Sequence, residues 1–215
     1  MDEGIATAGP GENRSAVGMR NAASGEICGL NPAMAPAARP ALVASFPPQV
    51  GAGCRVLILG TVPSVSSLRM RQSFAHPHNL FWPFMGTLFD AGPELPYAER
   101  IARLHAAGIG LWDVLKQCER PGSLDSSIRA ASEVANDIPA LLDAYPTIAA
   151  IALNGAKAQQ VFARRITPQI DARRSFGIEV LALPSTSPAN ASIPRAAKLE
   201  RWRALLRWAP PLRGS

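Results

Sequence analysis

Cysteine is scarce in this 215-residue chain. Its three copies, Cys28, Cys54 and Cys118, are odd in number, far apart and outside any CxxC pair. That pattern argues against both a disulfide framework and a zinc or iron-sulfur site. The three histidines, His76, His78 and His105, form no HExxH pattern. No apolar run approaches the length of a membrane span, and the opening Met1-Asp2-Glu3-Gly4 lacks a basic-then-apolar pattern. A cytoplasmic protein is therefore expected. The stretch GTVPSVSS carries no glycine-lysine pair for cradling phosphates, which disfavours a phosphotransferase, and the lack of a GxSxG elbow disfavours a serine hydrolase. Acidic residues are the minority, leaving a net charge of +6; beyond residue 46 there are 19 basic and 12 acidic residues, a net +7. The excess suits a polyanionic partner.

What is present centres on Arg55 to Trp82. Val56 to Leu59 is a short apolar run ending in Gly60-Thr61, which fits a strand buried on both faces that opens into a loop. Ser64, Ser66 and Ser67 follow Pro63, a hydroxyl-rich turn that is either an ordinary helix cap or a holder of phosphate oxygens. Next come Phe74-Ala75-His76-Pro77-His78-Asn79-Leu80-Phe81-Trp82, where hydrogen-bonding groups alternate with flat rings. That mixture suits a planar, polar ligand such as a nucleobase.

Residues 1–46 are rich in Ala, Gly, Pro and Ser without periodicity and read as a disordered arm, leaving a domain at 47–210 and a short tail at 211–215. Helical spacing places helices at Phe81 to Phe89, Tyr97 to about Ala107, Val134 to Tyr145, Ala156 to Arg164 and Arg195 to Trp208. The last would bury Trp202 and Leu205 and expose Arg195, Lys198, Arg201 and Arg203. Lys116 to Ser132 reads as a surface excursion. Apolar strands are expected at 55–60, 109–112, 147–153 and 178–183. Their alternation with helices implies an α/β layered domain with a largely parallel sheet, which binds ligands outside the carboxyl ends of its strands. Those ends carry Gly60-Thr61, Asp113, Asn154-Gly155 and Ser185-Thr186-Ser187.

The runs GTVPSVSSL, AHPHNLFW, GIGLWDVL with ERPGSLDSSI, IALNGAKA and LPSTSPANAS, in that order over about residues 54–208, resemble the hypoxanthine-DNA glycosylase branch of the uracil-DNA glycosylase superfamily. The resemblance implies a three-layer α/β/α sandwich with a short, mainly parallel central sheet. It implies a monofunctional, monomeric enzyme, without metal or cofactor, that acts on double-stranded DNA containing a damaged base. Such an enzyme flips deoxyinosine out of the stack and hydrolyses its N-glycosidic bond. A uracil- or xanthine-directed enzyme on the same fold, and a non-catalytic DNA-binding module, are the competing readings.

Most relatives carry a water-activating Asp or Asn two positions after the first strand's glycine, where this chain has Val62, whose isopropyl group can neither orient nor deprotonate water. The resemblance shifts catalysis to Asn79, which the residues alone read as the N-cap of the Phe81 helix. It places Phe81 as the ring stacked on the flipped base, although its place on an apolar helix face fits core packing equally well, and Asp113 as the reader of the base edge, an acceptor for the N1-H of hypoxanthine, although Asp113 reads equally as a helix cap after Trp112. Gly60, Thr61, His76 and Asn154 complete the base site, although Asn154 also reads as a helix cap and His76 as a packed structural residue. Ser64, Ser185, Thr186, Ser187, Ala189 and Asn190 are assigned to DNA, Ser185 standing where many relatives have a histidine. Ser73-Phe74 replaces the tyrosine pair usual before Ala-His-Pro.

Overall fold

The computed structural model describes residues 42–170 and 177–209, all of which fall in one compact unit, Arg39–Ser215. At its centre lies a parallel sheet in the order β3-β2-β6-β7, built from β2 (Val56–Gly60), β3 (Ile109–Asp113), β6 (Ala150–Asn154) and β7 (Glu179–Leu183). Every residue of β2 and β6 is buried, as strands covered on both faces must be.

Alternation along those strands sorts the core into two layers. Leu57 and Leu59 of β2 and Ile151 and Leu153 of β6 face α4 (Ile138–Ala144), α5 (Ala156–Val161) and the turn of π-helix that follows at Phe162–Ile166. Val56, Ile58, Ala150 and Ala152 face α2 (Phe81–Phe89), α3 (Tyr97–Ala106) and α6 (Arg195–Trp202), with Phe81, Phe84, Met85 and Trp202 fully buried between them. The result is the α/β/α sandwich expected from the sequence. No described helix is long and apolar enough to cross a membrane.

Four expectations need correction. Leu42–Ala44, assigned to the arm, is a strand, β1, paired antiparallel with β4 (Leu115–Glu119); residues 1–41 of the arm and the 211–215 tail lie outside the described residues. The segment taken as a surface excursion holds β4 and a buried Arg120. Val134–Ala135 forms β5 beside β4, so the α4 helix starts only at Ile138, capped by Asp137, whose side chain accepts from the Ala140 N–H at 3.1 Å. Lys198 is buried rather than exposed, and α6 gives way to a 3-10 turn at Arg203–Arg207.

Register brings the chemistry to one edge. Gly60 pairs with Asp113 across β2 and β3, and Asn154 with Leu183 across β6 and β7. The polar strand ends therefore converge on a cavity of about 440 Å³.

Candidate active site

The cavity floor is Gly60, Asp113 and Phe74. A Cβ at Gly60 would stand 2.6 Å from Asp113 Oδ1 and 3.4 Å from the Phe74 ring, so only glycine lets the carboxyl and the ring approach the strand together. Phe74 adopts φ 57°, a left-handed conformation that is costly for a large side chain. Two bonds hold its segment: Ala75 N–H donates to Ser67 Oγ at 3.2 Å and Trp82 Nε1–H to Ser73 O at 2.9 Å. That backbone lays the Phe74 ring on Phe81, centroids 3.9 Å apart and planes 22° off parallel. Phe81 is fully buried beneath it and does not line the cavity. The ring presented to a ligand is thus Phe74, because helix α2 turns Phe81 into the core.

Of the thirteen residues singled out from the sequence, all but Phe81 and His76 line this cavity. His76 closes the turn after Phe74: its Nδ1 accepts from His78 N–H at 3.2 Å and its carbonyl from Asn79 N–H at 2.8 Å. Asn79 lines the cavity and lies one position before the N-cap of α2, which is Leu80 rather than Asn79. Its Oδ1 accepts the Phe81 N–H at 2.9 Å at the start of α2, which fixes the amide orientation, while its Nδ2 has no partner among the described residues. Ser64 is the N-cap of α1 (Val65–Met70), accepting from Ser67 N–H at 3.1 Å, and its side chain also lines the cavity.

One wall is the loop after β4. Arg120 is only 1% exposed and donates to Pro63 O at 2.5 Å and Gly122 O at 3.0 Å, tying this loop to the turn after β2. Thr61 Oγ–H donates to Asp125 Oδ2 at 2.8 Å, and Arg120 Nη1 lies 3.9 Å from Asp125 Oδ1. Ser123 Oγ accepts from Val65 N–H at 3.0 Å, and Leu124, 53% exposed, stands at the rim.

The opposite wall is the segment after β7. Asn154 is bonded through both ends of its amide there: Oδ1 accepts from Thr186 N–H at 3.0 Å and Nδ2 donates to Thr186 Oγ1 at 2.9 Å. Asn154 is thus held by the loop and is not the cap of α5, whose cap is Gly155, while the burial of Thr186 keeps its hydroxyl from a phosphate. Both position the loop instead. Ser185 Oγ and Ser187 Oγ accept from Ser187 N–H and Ala189 N–H at 3.2 and 3.3 Å, leaving each hydroxyl hydrogen to donate outward. Lys198, 2% exposed, joins the two ends of the loop by donating to Ser185 O at 2.8 Å and to Asn190 O. It makes no ion pair with an acid among the described residues.

Burial pushes the Asp113 carboxyl up to about 7, the nearby Asp125 charge adds to the rise, and Arg120 opposes it. Asp125 is also raised, by burial, against the Thr61 hydrogen bond and the Arg120 and Lys157 charges; its side chain is 45% exposed, so the push is softened by solvent. Lys157 on α5 lies on the same wall, held 2.7 Å from the buried Glu133 carboxylate. Near neutrality Asp113 thus exists partly as a neutral acid, which both donates and accepts, and that complements a lactam edge with its N–H and C=O side by side.

Phe74, Arg120, Asp125 and Lys198 escape the sequence reading. Asp125 and Arg120 stand in the run ERPGSLDSSI, whose polarity imitates a solvated loop; Lys198 sits in a basic helical stripe that looks like a water-facing surface. Phe74 carried a signal, a large ring directly before Ala75-His76-Pro77, but no periodicity distinguishes it from Phe81.

Comparison with known proteins agrees with this architecture. Residues 47–206 match the family model described as the uracil DNA glycosylase superfamily. A hypoxanthine DNA glycosylase of Methanosarcina acetivorans is 34% identical over 163 residues, 75% of this chain and 96% of that protein. Another, from Methanosarcina barkeri, is 33% identical over 146 residues, 67% of this chain and 86% of its own length. A solution NMR structure of a uracil DNA glycosylase candidate from Methanosarcina acetivorans superposes with a TM-score of 0.64 at 31% identity, covering 78% of this chain and 98% of that one. With a family match across most of the folded region and relatives aligned over nearly their full length, the chain belongs to the uracil-DNA glycosylase superfamily.

Proposed function

We propose that this protein is a monofunctional DNA glycosylase that excises hypoxanthine from deoxyinosine in double-stranded DNA, working as a monomer in base excision repair. The observation that carries the reading is the floor of the cavity: an aromatic face, Phe74, set at right reach of an edge-reading carboxyl, Asp113, over a side-chain-free Gly60. A base stacked in a duplex exposes neither its anomeric bond nor its pairing edge, so it must leave the stack to enter. Once inside, it lies on Phe74, and its N1-H and O6 face a carboxyl that offers an acceptor and, when neutral, a donor. The two methanosarcinal relatives, named as hypoxanthine DNA glycosylases, support the choice of base.

Asn79 serves the reaction by orientation. Its oxygen is committed to the α2 N-terminus, so its free NH₂ donates to the attacking water and holds it beside the sugar while the C–N bond stretches through an oxocarbenium-like state. On the cavity walls, Ser185, Ser187 and Ser64 donate to backbone phosphates, and Ala189-Asn190 lies against the gap left in the stack.

The test is a strand-cleavage assay after alkali on duplexes carrying one deoxyinosine, deoxyuridine or deoxyxanthosine. Cutting at deoxyinosine is expected. Asn79→Ala should lose about 10²-fold or more in rate and about 1 kcal/mol of stability as the bond to the Phe81 N–H goes. Asn79→Asp, which still accepts the Phe81 N–H, should lose the rate and keep the stability. A folded protein that binds these duplexes and cuts none would establish a binding module instead.

A further inference from the structure

Hydrolysis of a glycosidic bond releases a proton from water, and the residues assigned so far give it no destination. Val62 is apolar, and Asn79 is an amide whose oxygen already accepts a backbone N–H. Among the residues lining the cavity only Asp113 and Asp125 carry a carboxyl group, and none is histidine. Asp113 lies in the floor against Gly60 and Phe74, where the base edge sits.

We infer that Asp125 is the catalytic residue that accepts the proton of the attacking water, an assignment that rests on the glycosylase reading above. Its geometry suits that task. Thr61 Oγ–H, at the end of β2 and next to Val62, donates to Asp125 Oδ2 at 2.8 Å and fixes the carboxylate. Oδ1 lies 3.9 Å from Arg120 Nη1, beyond hydrogen-bond reach, so its lone pairs remain for a water. The side chain is 45% exposed toward the cavity mouth. A carboxylate supplied from the β4 loop thus reaches, through Thr61, the strand end at which Val62 cannot act.

In the step so assigned, the water oxygen forms a bond to C1′ while the C1′–N bond breaks and its electron pair leaves with the base. The water proton passes to Asp125 Oδ1 and then to solvent, and the departing base is protonated by solvent. The charged and titratable groups around Asp125 come from three elements: Arg120 after β4, Lys157 on α5 and Asp113 on β3. The first two favour its ionised form, and Asp113 is mainly neutral below about pH 7. Asp125 works as the anion, so activity rises with pH through its titration.

The experiment measures single-turnover excision from a deoxyinosine duplex across pH, with duplex affinity measured in parallel. Asp125→Asn keeps an oxygen for the Thr61 hydroxyl; it should bind DNA as the wild type does, lose about 10²–10⁴-fold in rate, and lose the acidic limb of the profile. Thr61→Val removes a donor to the carboxylate and should move that limb to higher pH. An Asp125→Asn rate within about threefold of wild type with the limb intact, or a limb unmoved in Thr61→Val, overturns the assignment. Wild-type protein that cuts none of the three modified duplexes overturns the glycosylase reading itself and this assignment with it.

Discussion

Asp113 gives the site a measurable cost to the fold. Its carboxyl is raised from 3.8 to about 7, mainly because ionising it beside Gly60 and Phe74 means charging a group removed from water. Between those values the folded protein holds a proton that the unfolded chain has released, so stability falls as pH rises and levels off above about 7. From about pH 5 to about pH 8 the loss is about 2.5 kcal/mol at about 1.4 kcal/mol per tenfold change in proton affinity. Water entering the cavity reduces it toward about 1 kcal/mol. Asp113→Asn carries no such proton. The variant should therefore gain on the wild type as pH rises, whatever the constant difference between amide and carboxyl. For a domain of this size the gap in Tm should widen by about 3–10 °C. Thermal melts of the two proteins followed by circular dichroism across that range supply the test, since other titrations cancel in the difference. Melting temperatures that stay a constant distance apart would refute the argument and mean that the Asp113 carboxyl is as well hydrated in the fold as in the unfolded chain.

Three further substitutions probe the rest of the pocket. Gly60→Ala should leave the sheet formed but drive the Asp113 carboxyl from its place, since the new Cβ would meet Oδ1 at 2.6 Å; excision of hypoxanthine should fall at least about 10²-fold, as expected of misplacing a positioning group, with the far-ultraviolet spectrum unchanged. Phe74→Leu removes the flat face while keeping the segment apolar. With base stacking worth about 1–3 kcal/mol, KM for a deoxyinosine duplex should rise about 5- to 150-fold in steady-state assays. Lys198→Met removes the donor that joins Ser185 O to Asn190 O, so duplex Kd by fluorescence anisotropy should rise about tenfold, on the order of one lost charged hydrogen bond, while the rate at saturating DNA changes less.

The sheet was legible because its strands are the simplest signal in the chain: Val56–Gly60, Ala150–Asn154 and Ile109–Asp113 are short apolar runs punctuated by a polar or glycine residue, and the polar residue marks the functional edge. Helix α2 was legible to the residue, since Phe81, Phe84, Met85, Leu88 and Phe89 recur on one face. What sequence alone could not show is how polar groups are spent. Asn154 and Asn79 look alike as helix-opening asparagines, yet one is bonded to Thr186 through both its oxygen and its nitrogen, while the other keeps an NH₂ open. Arg120 and Lys198 look like surface cations, and their burial depends on carbonyls 57 and 13 or fewer residues away that only the fold brings near. Phe74 and Phe81 exchange roles because a positive φ at Phe74, which no local pattern encodes, lays one ring over the other.

The two walls of the cavity are built on a common plan, and the plan bears on how a lesion is recognised. Each is a polar loop joined to a strand end by a side-chain pair, Thr61 with Asp125 on one side and Asn154 with Thr186 on the other, and each is braced from behind by a buried cation donating to backbone carbonyls, Arg120 and Lys198. Arg120 has Asp125 beside it, whereas Lys198 is held by carbonyls without an acidic partner among the described residues, and a cation so placed favours the approach of a phosphate backbone. The bonds also fix the spacing between the walls before any ligand arrives. A slot of fixed width does little to pull a well-paired base from its stack, so the cost of extrusion falls on the duplex, and it is least for a deaminated base that pairs poorly. On the proposed reading, selectivity is divided between two stages: weak pairing decides which nucleotide reaches the floor, and the Asp113 edge contact, beside a glycine that admits it, decides which base is held there long enough to be cut.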